Sequence, residues 1–89
     1  MTEIDIWIKV FDKLGFQFID EHCGFVSKIN YLSYLNDDGN YNLYFDRETG
    51  QVLSLFIRNS PDVNQITKQL FYEEYKHIFR DIKLELVNE

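Results

Sequence analysis

Adjacent histidine and cysteine residues are the first side chains along the chain whose types could support nucleophilic chemistry. His22 and Cys23 follow each other directly, and a catalytic thiol needs a base within hydrogen-bond reach and a third group that orients the base. Side chains of neighbouring residues in an extended chain point to opposite sides, so this pair does not meet that requirement. Residues 20–24 (DEHCG) have the composition of a turn, and we interpret them as a turn that contains an incidental thiol.

The oxygen-rich segment NDDGN at residues 36–40 resembles a calcium-binding loop in composition. A loop of the EF-hand type has glycine at its sixth position and glutamate at its twelfth. Counted from Asn36, glycine stands at the fourth position and Arg47 at the twelfth, so the pattern fails. The segment instead predicts a hairpin turn in which Gly39 adopts a positive φ angle.

Glu73 and His77 are four residues apart, a spacing that places two side chains on one face of a helix. Two ligands do not make a metal site, and the other histidine lies in a distant turn, so we interpret them as a surface pair. We therefore predict no catalytic residue, no metal and no cofactor, and we do not expect an enzyme. A histidine in a deep pocket beside carboxylates would reverse that expectation.

The carboxylates are concentrated at predicted turns and strand ends, and they are Asp20, Glu21, Asp37, Asp38, Asp46 and Glu48. The turn at residues 36–39 lies at one end of the predicted sheet and the other four carboxylates lie at the opposite end. Groups so far apart cannot form a catalytic dyad. They are either solvated turn residues or a source of separated negative charge for a basic partner.

Residues 25–59 are the centre of the predicted fold, because they form three strands joined by the turns NDDG at 36–39 and RETG at 47–50. Alternation predicts one almost wholly apolar face that packs on the core, with the members Phe25, Ile29, Tyr31, Leu35, Tyr41, Leu43, Phe45, Leu53, Leu55 and Ile57. The other face is mixed, with the members Lys28, Asn30, Leu32, Tyr34, Asn42, Tyr44, Asp46, Val52, Ser54, Phe56 and Arg58. A bulge near Tyr31 and Leu32 would exchange part of this assignment.

Residues 2–14 alternate like a strand but also carry apolar residues at helical spacing. The helical interpretation is favoured because the segment has residues typical of a helix start and a helix end. Thr2 suits the N-cap, Asp5 suits the positive end of the helix dipole, and Gly15 suits the position after the last turn. We therefore predict a helix over residues 2–14. A first strand at 16–20 follows, and the turn at 20–24 joins it to the central strands.

The sequence SPD at residues 60–62 is the clearest boundary in the chain. It predicts the start of a second helix, with Ser60 as N-cap and Pro61 at the first helical position. An apolar stripe carries this helix to about Arg80, with the members Val63, Ile66, Leu70, Phe71, Tyr75, Ile78 and Phe79. Residues 81–87 alternate again and predict a last strand, with a continued helix as the alternative.

These elements predict a single α+β domain over residues 1–89 with the order α-β-β-β-β-α-β. The sheet is an antiparallel meander of about four strands, with or without a fifth at the C-terminus, between an N-terminal helix and a longer C-terminal helix. The predicted strands therefore present two faces, and whether a helix covers the mixed face decides if that face is free to meet a partner.

Composition limits the class of protein further. The 89 residues are 45% hydrophobic and 17% aromatic, which excludes general disorder. The net charge of −6 argues against binding to a phosphate backbone and favours a basic partner. The single cysteine excludes an intramolecular disulfide, and neither a signal peptide nor a bilayer-spanning segment is seen. We therefore expect a reduced, cytoplasmic protein that binds neither nucleic acid nor membrane.

We predict a small acidic protein-binding domain, an inhibitor or immunity-type protein that occupies a basic site on a partner. The predicted partner-binding residues are Leu32, Tyr34, Tyr44, Phe56, Asp37, Asp38, Asp46 and Glu48. Phage-encoded inhibitors of bacterial nucleases, including anti-CRISPR proteins, are similarly small and acidic, and the residue usage fits a low-GC phage or bacterial genome. That likeness is one of composition and carries no family motif. The alternative is a self-associating structural or accessory protein whose aromatic face is buried in a homodimer.

Overall fold

One antiparallel sheet carries helices on one of its faces. The computed structural model describes residues 2–59, 62–66 and 68–87, with the elements α1 (Glu3–Lys13), β1 (Gln17–Cys23), β2 (Ile29–Asn36), β3 (Gly39–Asp46), β4 (Val52–Asn59), β5 (Asp62–Ile66), α2 (Lys68–Glu74) and α3 (Lys76–Val87). The strands lie side by side in their order along the chain, from β1 at one edge to β5 at the other. The predicted α+β fold, with an N-terminal helix and an antiparallel meander, is confirmed.

Both predicted hairpin turns of the central meander are present. Asn36 Oδ1 accepts hydrogen bonds from the amides of Asp38 (2.9 Å) and Gly39 (3.2 Å), and Gly39 has a φ of 143°. Asp46 Oδ1 accepts from the amides of Glu48 (2.8 Å) and Thr49 (3.0 Å) in the second turn. The side chain of Asn36, at the start of the first turn, and that of Asp46, directly before the second, therefore fix the two turns, as expected for Asn and Asp in such positions.

The first helix begins where its capping residues predict. The amide and the hydroxyl of Thr2 both donate to Asp5 Oδ2, at 3.1 and 2.8 Å, and these bonds lower the pKa of Asp5 below its ordinary value. The first turn of α1 is also tied to the sheet, since Ile4 N donates to Gly50 O (2.9 Å) and Val52 N donates to Glu3 Oε1 (2.6 Å). The helix start and the β3–β4 turn are therefore one structural unit.

Aromatic side chains from all three helices meet in the core between the helices and the sheet. Trp7 of α1 stacks on Phe71 of α2 at 5.4 Å between ring centroids and meets Phe79 of α3 edge-on at 4.8 Å. Phe11 meets Tyr34 of β2 edge-on at 4.7 Å. The sequence contains no alanine. Large rings therefore fill the core, and they keep the helices further apart than small side chains would.

The predicted core face of β2 is wrong by one residue. The β2–β3 turn pairs Asn36 with Gly39, and the register then places Leu32 opposite Leu43 and Tyr34 opposite Tyr41, with no bulge near Tyr31. Residues directly opposite each other share a sheet face, so Leu32 and Tyr34 face the helices and are only 5% and 2% exposed. The residues predicted for the core, Ile29, Tyr31 and Leu35, lie on the other face, and Phe25 lies in the loop before β2.

A bulge explains a second departure from the predicted core. The β3–β4 register shifts between Tyr44 and Phe45, so that Phe45 pairs with Val52. Val52 is consequently fully buried, and Leu53, predicted for the core, is an exposed residue. Leu55 and Ile57, beyond the bulge, are buried as predicted.

The C-terminal third differs most from the prediction. The predicted cap residues Ser60 and Pro61 lie outside the described residues, but Asp62–Ile66 forms β5, so the helix begins later, at Lys68. The predicted strand over residues 81–87 is wrong, because these residues belong to α3. Phe79 and Ile82, three residues apart on one helix face, are both buried against the core, and this contact favours the helix. Within the described residues, no helix has the length and apolar character needed to cross a membrane.

Candidate functional site

The sheet has a second face on the side away from the core, which we call the open face. The register between neighbouring strands assigns to it Asp20 and His22 of β1, Tyr31 and Ser33 of β2, Asn42 and Tyr44 of β3, and Ser54 and Phe56 of β4. All three helices contribute to the core cluster on the opposite face. The open face is therefore the side of the sheet that a partner can reach without displacing a helix of the described chain.

Four aromatic rings cross the open face in a continuous line, which we call the aromatic row. His22 stacks on Tyr31 at 4.5 Å between ring centroids, Tyr31 stacks on Tyr44 at 4.8 Å, and Tyr44 meets Phe56 edge-on at 5.4 Å. The first three rings stand directly opposite each other on neighbouring strands, and Phe56 is reached diagonally. Such cross-strand contacts hold each ring in place, so the row is organised before any partner arrives.

The ring surfaces of the row are only partly covered. Tyr31, Tyr44 and Phe56 are each of intermediate burial, and His22 is exposed. Partial burial raises the pKa of the Tyr44 phenol above its ordinary value, with the nearby Tyr31 phenol adding to the effect and Arg58 opposing it. The row therefore presents a semi-apolar aromatic strip to the surroundings.

Polar side chains border the row on one side. Ser33 Oγ lies 3.0 Å from Asn42 Oδ1 and 3.2 Å from Asn40 Oδ1, and Ser33 is itself buried. The Ser33 hydroxyl donates its one proton to these amide oxygens, and the shorter contact orients the side chain of Asn42, which lies opposite Phe56.

Four of the predicted acidic residues lie at the two ends of β3, as expected, whereas Asp20 and Glu21, predicted for a turn, lie within β1 opposite Ser33 and Leu32. Asp37 and Asp38 are exposed in the β2–β3 turn. Asp46 is bound to the backbone of the other turn, where the amides of Thr49 and Glu48 lower the pKa of its carboxyl, and Glu48 Oε2 forms an ion pair with Lys28 Nζ at 3.0 Å. Asp46 therefore stabilises a turn, and Asp37 and Asp38 are the acids of this set whose exposure suits a partner.

Only part of the predicted partner-binding set lies together. Tyr44 and Phe56 share the open face, whereas Leu32 and Tyr34 are buried on the helix side. Tyr31 and His22, which the predicted set did not include, share the open face with Tyr44 and Phe56 instead. The length of the β2–β3 turn was the signal that would have identified Tyr31, because a turn that pairs Asn36 with Gly39 places Tyr31 opposite Tyr44.

The loop between β1 and β2 adds an apolar tip next to one end of the row. Phe25 and Val26 in this loop are fully exposed, at 105% and 102%, and the loop joins Cys23 to Ile29, which is also exposed. The two adjacent side chains form a small exposed apolar patch, the kind of surface that can take part in protein contacts. The tip and the aromatic row flank the same end of the β1–β2 hairpin.

In the described part of the chain, the two residues considered for nucleophilic chemistry do not come together. His22 and Cys23 lie in strand β1, rather than in the predicted turn, and pair with Tyr31 and Asn30 on opposite faces of the sheet. His22 Nε2 lies 3.7 Å from Asp20 Oδ2, beyond hydrogen-bond distance. Among residues 2–59, 62–66 and 68–87, no group of three or more His, Cys, Asp and Glu side chains is arranged to hold a metal ion.

Comparison of the chain with protein-family models, with curated proteins and with solved structures found no match in any of the three. The functional assignment therefore rests on the geometry of the chain itself.

Proposed function

We propose that the chain is a protein-binding domain that docks on a basic partner protein through the open face, with the aromatic row at the centre of the contact. The observation that carries the proposal is the continuous line of four rings on the face opposite the helices. Tyrosine and other large aromatic side chains are the usual anchors of protein interfaces. Because neighbouring rings already hold the row in place, binding would cost little side-chain entropy.

Charge supports the choice of a basic partner. The chain carries a net charge of −6, and such a field accelerates encounters with a positively charged surface. Asp37 and Asp38 in the β2–β3 turn contribute exposed negative charge at one end of the sheet. An inhibitor or immunity-type protein that covers the basic site of an enzyme such as a nuclease has these properties.

Affinity capture from the source cells, compared between variants, tests this proposal. The wild-type chain and Tyr31→Ala/Tyr44→Ala would be used as baits, with Leu84→Ala as the control because Leu84 is an exposed apolar residue of α3. A basic protein retained by the wild type and by the control but lost by the double variant is the expected result. Loss of a hot-spot anchor costs about 2 kcal/mol or more, which is roughly a 30-fold loss of affinity.

The apolar tip provides a variant that does not endanger the fold. Phe25 is fully exposed, so Phe25→Ser should leave the unfolding free energy unchanged and weaken capture of the same protein if the tip belongs to the contact. Retention of every captured protein by both the double variant and Phe25→Ser would refute the proposed surface.

Self-association through the open face is the competing function. Two copies would bring two charges of −6 together, which opposes a homodimer. Light scattering at micromolar concentration separates the two functions: a monomer agrees with the partner-binding proposal. A dimer that Tyr31→Ala/Tyr44→Ala converts to monomer would replace it.

A further inference from the structure

We infer that the free edge of β1, together with the groove beside it, accepts an extended basic segment of another protein as a sixth strand. This surface shares β1 with the aromatic row, which begins at His22, but it uses the backbone edge and the helix side of the sheet, so the inference does not depend on the role proposed for the row. β1 pairs with β2 on one side and forms one edge of the sheet. All seven of its residues are exposed, and the Glu21 amide donates to the side chain of the neighbouring Asp20 at 2.8 Å. An added strand would exchange that local bond for pairing along the edge, the arrangement used in β-strand addition.

A groove on the helix side runs between α1 and the β1 edge. Its volume is about 490 Å³, and its lining includes Ile8 of α1, Phe18 of β1 and Leu32 of β2. Phe18 is 52% exposed although it lies on the core side of the sheet, so the apolar surface at the groove is incompletely covered. Alternate side chains of an added strand would point into this groove, because successive residues of a strand face opposite sides.

The charge of the groove selects a basic occupant. Asp5, Asp12 and Glu21 line it, and no lysine, arginine or histidine of the described chain does. Asp5 is already bound by Thr2, and Glu21 Oε1 accepts one long hydrogen bond from Asn30 Nδ2 at 3.5 Å. Asp12 and Glu21 are therefore the carboxylates best placed for a partner. On the opposite face of β1, Asp20 adds a further negative charge next to the same edge.

The same charges argue against a second copy of this chain as the occupant. β1 has the sequence QFIDEHC, with two acidic residues and no lysine or arginine. Two such strands paired about a two-fold axis would bring acidic side chains close together, and like charges on paired strands are destabilising. An extended segment with lysine or arginine on both of its faces avoids that repulsion and meets the carboxylates on both sides of β1.

A synthetic peptide tests this inference directly. The probe is a capped peptide of about eight residues in which pairs of lysines alternate with pairs of valines, so that each face of the strand carries both residue types. Binding to the full chain would be measured by fluorescence anisotropy and mapped by NMR. We expect saturable binding with amide shifts and exchange protection concentrated in β1. A Glu–Val peptide of the same pattern and a peptide with N-methylated backbone should both fail to bind.

Two charge-reversal variants separate a specific groove from general attraction. Asp12→Lys/Glu21→Lys should weaken binding by about tenfold, since reversal converts two attractions into two repulsions. Asp37→Lys/Asp38→Lys makes the same change in net charge at the β2–β3 turn and should retain wild-type affinity. If the lysine double variant fails to fold, Asp12→Asn/Glu21→Gln serves in its place with a smaller expected loss.

Three results would overturn the inference: equal loss in both charge-reversed variants, undiminished binding of the N-methylated peptide, or a self-associated chain that the peptide dissociates. The last result would identify a second copy as the occupant. Tyr31→Ala/Tyr44→Ala should bind the peptide as the wild type does, because these residues lie on β2 and β3. Failure of the aromatic-row proposal would therefore leave the binding of the peptide unchanged. Failure of the peptide to bind would likewise leave the aromatic-row proposal unchanged.

Discussion

The carbonyl of Gly50 accepts a hydrogen bond from the amide of Ile4 at 2.9 Å, and this bond joins the β3–β4 turn to the first turn of α1. Gly50 is buried and has a φ of 77°. A Cβ atom added there would lie only 2.7 Å from Thr2 Oγ1 and closer still to Thr2 Cβ. A side chain at this position would therefore strain the backbone and also push the helix away from the turn.

Gly50→Ala should lower the free energy of unfolding by about 2–4 kcal/mol, the sum of the left-handed backbone cost and the overlap with Thr2. Gly15→Ala is the matched control, because Gly15 has a φ of 82° with nothing within 4 Å of an added Cβ. We expect a loss of about 1–2 kcal/mol for this control. Urea unfolding measures the loss of unfolding free energy in both variants. Equal losses would show that contact with Thr2 contributes nothing.

Phe11 is the residue on which the aromatic core converges. It is fully buried, and its ring contacts Phe16 at 5.0 Å, Tyr34 at 4.7 Å and Phe71 at 5.3 Å. Phe11→Ala should cost about 3–5 kcal/mol, through lost burial and the cavity left behind. Leu84→Ala, on the exposed side of α3, should change the unfolding free energy by no more than about 0.5 kcal/mol. Thermal unfolding measures the change in stability of the two variants. A small change for Phe11→Ala would contradict the packing described.

Tyr34 gives the protein a pH dependence in the alkaline range. Burial, with the Asp12 carboxylate as the second cause, raises the pKa of Tyr34 to about 12. The unfolded chain loses this proton near pH 10, so the folded state holds more protons between pH 10 and pH 12. The stability contributed by the neutral phenol is fully present below pH 10 and is lost as the pH rises through 12.

Tyr34→Phe should therefore reduce the fall in unfolding free energy above pH 10 by about 2 kcal/mol. Part of the fall should persist, because burial also raises the pKa of Tyr41, Tyr44 and Tyr75. Urea titrations between about pH 8 and pH 12 measure the difference. Parallel curves for the wild type and the variant over this range would contradict the prediction.

The stacking of Tyr31 on Tyr44 should be measurable in the free protein. A double-mutant cycle with Tyr31→Ala and Tyr44→Ala is expected to give a coupling of about 0.5–1 kcal/mol in the unfolding free energy. Tyr31 and Tyr72 form the control pair, since Tyr72 packs against Phe79 on the helix side, and their coupling should be close to zero. Zero coupling in both cycles would mean that the row is not held together before binding.

Local chemistry explains why some elements could be predicted from sequence. Thr2 and Asp5 predicted the start of α1 correctly because their hydrogen bonds lie within the segment itself. The turns at Gly39 and Gly50 were also correct, since both require a positive φ that glycine supplies at low cost. Each of these features depends on residues within a few positions of each other.

The errors arose where distant contacts decide between local alternatives. Both faces of β2 carry large side chains, so alternation alone could not choose between Tyr31 and Leu32 for the core. The turn geometry decides, through the pairing of Leu32 with Leu43. Residues 81–87 alternate like a strand, yet Ile82 is buried against the core from α3, and Glu85 forms an ion pair with Lys13 of α1 at 3.2 Å. Such contacts override local propensity.

The residues of the candidate site were also predicted correctly where local pattern decides their position and wrongly where distant contacts decide it. Tyr44 and Phe56 were correctly placed on one face because they lie on the parts of β3 and β4 whose phase was predicted correctly, away from the bulge at Val52 and Leu53. Leu32 and Tyr34 were wrong because a shift of one residue moves every side chain of a strand to the other face. Sequence alternation did not indicate that His22 would extend the row, since residues 20–24 have the composition of a turn and only the structure places His22 in β1.

The chain contains one tryptophan and one cysteine, and the two lie at opposite extremes of exposure. Trp7 is enclosed by Phe71 and Phe79, whereas Cys23 is an exposed thiol on β1. An acceptor dye attached to Cys23 would form an energy-transfer pair with Trp7 without any engineered residue. The transfer efficiency would then report the distance between α1 and the end of the edge strand, so that detachment of β1 can be followed separately from unfolding of the core.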